Sequence, residues 1–274
     1  MIELKISVID TLCPRDSLQD KLCFLEQLGI EGIELESTLS GSAQEKEKSV
    51  REALSASKVK LSTVLLGYQG DLLSKHREIR QKTLEKIKQS MEVCAKLGGI
   101  GVVTVPSPRK SHNLFTIQLS RSKEARKRLA IEQYAILGKY AEELNVYVII
   151  EPLDNSLTNF INTCNQAAEI CRMSGSGMVK ICPDFFHMSI EEPNISEKIK
   201  QFSDYIVHLH IGDNDMKSKF AVMPGKGNLD LKGIFGALKT INYFNYLSFD
   251  CKIPSEEELR SSVHFLKGLI QQDR

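Results

Sequence analysis

The octapeptide VYVIIEPL, residues 146–153, decides the fold. Five apolar residues run from Val146 to Ile150 and stop at Glu151. A strand apolar at every position is buried on both faces, as strands of parallel sheets are. Its neighbours supply the covering layers. Ser122 to Asn145 reads as a helix rich in Ala, Leu, Glu and Arg, and Thr163 to Met173 as a second helix. Strand and helix keep alternating outward from there. Strand-like runs are predicted at 5–10, 32–36, 61–67, 101–107, 179–184, 205–213 and 246–251. Helical patterns lie between them, with Ser17, Asp230 and Ser255 as N-caps and Gly29 as a stop. Eight strand–helix units favour a closed α/β (β/α)8 TIM barrel over an open sheet. A chain of 274 residues suits one such barrel, so residues 1–274 are expected to form a single domain.

The bulk properties narrow the partners. The formal net charge is +1, which gives no whole-chain field toward nucleic acid or membrane. No apolar run reaches membrane-spanning length, and MIELKISVID carries acids where a signal peptide would be basic. The seven cysteines are odd in number and lack CxxC spacing, which reads as free thiols in the cytoplasm.

In a (β/α)8 barrel the chemistry sits where strands give way to the loops that follow them. Each of the last four strands ends in a ligand-type side chain: Glu151 in VIIEP, Asp184 in ICPDFFH, His210 in IVHLHIGDND and Asp250 in YLSFDC. Any one alone reads as a polar strand end. Four in succession read as one site, because three converging carboxylates need a cation. Three carboxylates and an imidazole suit Mn²⁺ best, and Mg²⁺, Co²⁺ and Zn²⁺ also match the donors. Strand parity turns His208 and His210 inward together. It also suggests a structural Lys180–Glu34 pair low in the barrel. The segment from Pro106 to Leu119 has no clear pattern and is the lid candidate, with His112 and Phe115 on it. PGKGNLD (224–230) lacks the Walker pattern and reads as a turn leading to Asp230. His76 and His264 read as surface residues of helices.

The order Glu151, Asp184-x-x-His187, His210 in HLHIGD, PGKGNLD and an acid at strand eight resembles the sugar isomerase/epimerase family of xylose-isomerase-like TIM barrels. EPLDNSLTNFINT and PDFFHMSIEEPNI resemble its ketose 3-epimerase branch most. The resemblance implies that Glu151, Asp184, His210 and Asp250 hold one divalent metal. Glu151 and Asp250 would move protons, and His187 would contact a substrate oxygen. It implies a metal-dependent isomerase or epimerase of a small ketose, sugar phosphate or related polyol ketone, acting through a metal-stabilised enediolate. A homodimer or homotetramer is common in such families. An inosose-dehydratase-like lyase and a non-catalytic sugar-binding barrel are the alternatives. A nuclease of the endonuclease IV type needs more histidines than the six present. Three positions depart from the family pattern. Asp250 stands where Glu is usual, Leu157 where a second Glu is usual, and Met216 where an Arg is usual, with Lys217 beside it as a substitute charge.

Overall fold

The computed structural model describes residues 4–36, 43–67, 69–108 and 122–271. His112, Phe115 and most of the expected lid lie outside the described residues. Among the described residues, eight strands follow in chain order: β1 Lys5–Ile9, β2 Gly32–Glu36, β3 Lys60–Leu65, β4 Gly101–Thr104, β5 Tyr147–Ile150, β6 Val179–Ile181, β7 Leu209–Ile211 and β8 Tyr246–Phe249. The helices are α1 Leu18–Gln27, α2 Ala43–Ser55, α3 Arg77–Leu97, α4 Lys123–Leu144, α5 Cys164–Ser174, α6 Phe185–Glu191, α7 Ile195–Gln201, α8 Leu231–Thr240 and α9 Glu256–Gln271.

All strand pairings are parallel, and the sheet runs β6-β5-β4-β3-β2-β1-β8-β7. Two single bridges, Ile181 with Ile206 and Asp184 with His210, join its ends and close the barrel. That seam is thin because β6 and β7 are three residues each, shorter than the runs 179–184 and 205–213 suggest. Pro183 has no amide to extend the β6 ladder, and Ser203–Tyr205 form a 3₁₀ turn ahead of β7.

Alternation assigns the two faces of each strand. Val148, Ile150, Ile181, Leu209 and Leu247 pack outward in the main core between strands and helices. Ile9, Leu65, Val103, Ile149, Cys182 and Val207 form a separate, smaller cluster. The polar residues Ser7, Glu34, Ser62, Thr63, His208 and Ser248 have no solvent exposure at all.

The helix starts follow their caps. Ser17, Ser122 and Asp230 accept amides three residues on, and Thr163 forms a full capping box with Gln166. Helix α6 is an addition to the expected order. Its residues FFHMSIE are as apolar as the strand before them, so composition does not mark the change. His76 lies just ahead of α3, not within a helix, and His264 is exposed on α9.

The expected Lys180–Glu34 pair does not form. The Lys180 ammonium, from the middle of β6, donates to the Asp204 carbonyl at 2.8 Å. Glu34 instead meets His208 and His210.

Candidate metal centre

Four elements deliver the four side chains. Glu151 follows β5 directly, where its amide donates to the Thr104 carbonyl at 3.1 Å. Asp184 is the N-cap of α6 and accepts the His187 amide through Oδ1 at 2.9 Å. His210 lies within β7, and Asp250 follows β8, its amide bonded to the Ile211 carbonyl at 3.0 Å. One ligand atom from each of Glu151, Asp184, His210 and Asp250 lies within 4.8 Å of the others. His210 Nδ1 is 2.7 Å from Glu151 Oε1 and 3.5 Å from Asp250 Oδ2. The Glu151, Asp184 and His210 side chains are buried, while that of Asp250 is 35% exposed and opens the cluster to solvent.

The charges in this cluster are held by protons. Burial raises the Asp184 carboxyl above its usual value against the pull of His187 and His210. Burial also pushes Asp250 up to about 7; His210 opposes this, and Asp184 and Glu151 add to it. His210 goes well above the ordinary imidazole range: burial would lower it, but the charges of Glu34 and Glu151 outweigh burial. Carboxyls that resist ionising together around an imidazolium form a donor set that a divalent ion fits, since it can replace those protons.

Cys182, His208 and His210 form a second trio of ligand-type atoms below the first. Burial drives the Cys182 thiol far above its ordinary value. This trio shares His210 with the first cluster, and Nε2 of both its rings faces Glu34, so the first cluster is the better suited to an ion.

His187 projects from the first turn of α6. Its Nδ1 is 2.8 Å from Asp154 Oδ2, and both residues are buried. Burial alone would lower this imidazole, but the Asp184 charge and the Asp154 hydrogen bond push it up to about 9. The same bond holds the Asp154 carboxyl well below the usual range, despite burial. Lys217 is exposed on the loop after β7 and contacts none of these groups among the described residues. Met216 beside it is also exposed and has a left-handed backbone, φ 60°. Leu157 lies in the turn after β5. Phe185 belongs to the main core, and Phe186 packs edge-on to His187 with ring centroids 5.4 Å apart.

Sequence reading missed two partners. Asp154 stands three residues after Glu151, in the quoted EPLDN, but nothing local says that it reaches His187 on α6. Glu34 shares the inward parity of its strand, yet its pairing with imidazoles from β7 depends on the curvature of the barrel.

The sequence profile of the xylose isomerase-like TIM barrel family matches residues 23–269, and the chain belongs to that family. A 3-dehydro-D-guloside 4-epimerase of Escherichia coli K12 is 27% identical over 247 residues, covering 88% of this chain and 90% of the relative. A D-psicose 3-epimerase of Enterocloster bolteae is 36% identical over 129 residues, but this spans 47% of this chain and 40% of that one. The crystal structure of a 3-keto-D-glucoside 4-epimerase from E. coli in its apo form superposes with a TM-score of 0.85 at 25% identity, covering 97% and 98% of the two chains.

Proposed function

We propose that this member of the xylose isomerase-like TIM barrel family is a divalent-metal-dependent epimerase or isomerase of a sugar bearing a ketone beside a hydroxyl. The observation that carries this is the convergence of Glu151, Asp184, His210 and Asp250, with ligand atoms within 4.8 Å of one another. These four residues would hold the ion, for which Mn²⁺ suits the donors best and Mg²⁺, Co²⁺ and Zn²⁺ also suit them. When bound, the ion supplies Lewis-acid polarisation of the ketone and its neighbouring hydroxyl.

The chain's own groups then move the proton. Epimerisation needs a base on one face of the carbon and an acid on the other. Glu151 and Asp250 enter from β5 and β8, so they approach from different parts of the barrel rim. Asp250, on the other side of the cluster, is the acid that returns a proton. Glu151 is the partner base. His187, held at Nδ1 by Asp154 at 2.8 Å, offers Nε2 to a substrate oxygen. Lys217, exposed on the loop after β7, would meet a substrate charge such as a phosphate only at the periphery.

Among the relatives, the match extending over nearly the whole of both chains is to a 4-epimerase of a keto-glycoside, whereas the psicose epimerase match spans under half of each. A 3-keto-glycoside is therefore the favoured substrate within the class, ahead of a free ketose. We read residues 1–274 as one barrel domain with its site at the C-terminal ends of the strands. The described cysteines are free, which fits a cytoplasmic protein, and a homodimer or homotetramer is the expected assembly. No described helix is long and apolar enough to cross a membrane.

The test is turnover in D₂O with Mn²⁺, offering 3-keto-glycosides, free ketoses and inososes in parallel. Deuterium should enter at the inverted carbon, and Glu151→Gln should abolish its entry. Epimerisation without deuterium entry would rule out solvent-exchanging proton transfer. Loss of water from an inosose would move the reading to a dehydratase. Binding without turnover across the panel would leave a sugar-binding barrel.

A further inference from the structure

Glu34 is a carboxylate with no solvent exposure and no lysine or arginine partner among the described residues. Its oxygens face two imidazoles. Oε2 is 3.0 Å from His208 Nε2, while Oε1 and Oε2 are 3.3 and 3.2 Å from His210 Nε2. A carboxylate buried among acceptors would be an unpaired buried ion, which is strongly disfavoured. Both Nε2 atoms must therefore donate, which settles how the two rings carry their protons.

For His208 this leaves Nδ1 as a bare lone pair. That atom is buried and has no hydrogen-bond partner. The hydroxyls of Ser248 and Thr63 gather at the other nitrogen instead, 3.1 and 3.3 Å from Nε2. For His210 the same rule turns Nδ1 toward the cluster, 2.7 Å from Glu151 Oε1. One ring thus spans two layers, with a carboxylate below it and the candidate ion site above.

We propose that Glu34 is a positioning residue for metal binding: by accepting Nε2–H of His210 it fixes the ring and dedicates Nδ1 to the ion, while His208, 3.0 Å away, holds Glu34 in place. This rests on the metal-centre reading above. A histidine ligand whose second nitrogen donates to a carboxylate is oriented and made more basic, and loss of such a partner typically weakens metal binding about 10–100-fold. Glu34 never reaches the substrate, so its effect belongs to ion affinity.

The test is Glu34→Gln, which keeps the size but replaces one accepting oxygen with an NH₂ group. Metal-free wild type and variant are compared by circular dichroism, and their Mn²⁺ and Zn²⁺ affinities by chelator competition. The expected result is a folded variant whose dissociation constant rises by about 10–100-fold, with turnover restored by excess metal. Recovery with excess metal separates this from a general loss of structure. A folded variant with wild-type affinity would overturn the proposal. A second measurement does not depend on the variant's folding. In ¹⁵N NMR of the Zn²⁺-loaded wild type, His210 should show a metal-bound Nδ1 and a protonated Nε2, and ligation through Nε2 would overturn the proposal. A wild type that binds neither ion would instead defeat the metal-centre reading, and this proposal with it. That signal differs from equal, tight binding by wild type and variant.

Discussion

Asp154 shows how a single residue sets the state of another. Its carboxylate keeps His187 in one orientation and favours the charged ring, which then donates from Nε2. Asp154→Asn preserves shape and removes charge. A hydrogen bond to a charged group contributes about 1.5–3 kcal/mol, so kcat/KM should fall roughly 10- to 100-fold, mostly through KM if His187 binds ground and transition states alike. The alkaline limb of the kcat/KM profile should also move below its wild-type position, because the acidic partner that raises His187 is gone. An unchanged profile would remove Asp154 from the substrate shell. Asp250 is the other informative residue. A side chain displaced by about 1 Å can cost on the order of 10² in rate, and Asp is one methylene shorter than the Glu usual in the family. Asp250→Glu should leave metal content intact and raise 3-epimerisation of free ketoses, measured by sugar chromatography. A variant that loses metal would mean that the site is built around the shorter acid. Glu151, Asp184 and Asp250 are legible as candidates because each ends an apolar run, and His210 because strand parity turns it inward with His208. Asp154 and Glu34 were not, because their partners are 33 and 174 to 176 residues away and only the closed barrel brings them together.

At the scale of elements, α6 has the closest tie between fold and site. It begins at Asp184, whose Oδ1 accepts the His187 amide at 2.9 Å, so one carboxylate caps a helix and faces the cluster. These two roles can be separated. Asn caps about as well as Asp, whereas Ala loses about 1 kcal/mol. Metal-free Asp184→Asn should therefore unfold in urea near the wild-type midpoint, and Asp184→Ala at a lower one. Both should lose bound metal by elemental analysis. Equal midpoints for the two variants would mean that the cap contributes nothing. Retained metal in both would remove Asp184 from the ligand set. The helix itself escaped sequence reading for a physical reason. Seven residues with Phe185, Phe186 and Met188 give too short a pattern to tell a buried strand from a helix. The longer helices carried their own signals, as in the Thr163–Gln166 capping box and the left-handed Gly98 and Gly175 that end α3 and α5.

For the whole molecule, the alternation of strand and helix sufficed for the barrel, but not for where it is weakest. The ladder is continuous from β6 round to β7, and the remaining gap is spanned by two bridges, with His210 N to Pro183 O at 3.0 Å and Val207 N to Ile181 O at 3.3 Å. The four candidate ligands come from the elements around that gap, so a bound ion would staple the seam. Removing metal should accelerate amide exchange at Val207 and His210 far more than at Val102 or Val103 in β4, measured by hydrogen exchange with mass spectrometry. Uniform acceleration would indicate that the ion stabilises the barrel without acting on the seam. The staple should also depend on pH. Asp250 has its carboxyl pushed from 3.8 up to about 7 in the folded metal-free chain, so the fold favours its protonated form. Stability from that preference is full below about pH 4 and is lost as pH rises toward 7. His187, raised from 6.5 to about 9, contributes stability that is full below 6.5 and lost as pH rises through 9. An ion takes the place of the Asp250 proton, so its benefit should grow as that proton leaves. At an ion concentration about 100 times Kd the gain is about 2.7 kcal/mol, a Tm rise on the order of 5–10 °C for a chain of this size. Thermal melts with and without Mn²⁺ should therefore diverge from pH 5 to pH 8. Curves that stay parallel across that range would show that the ion and the protons do not compete for the same carboxylates.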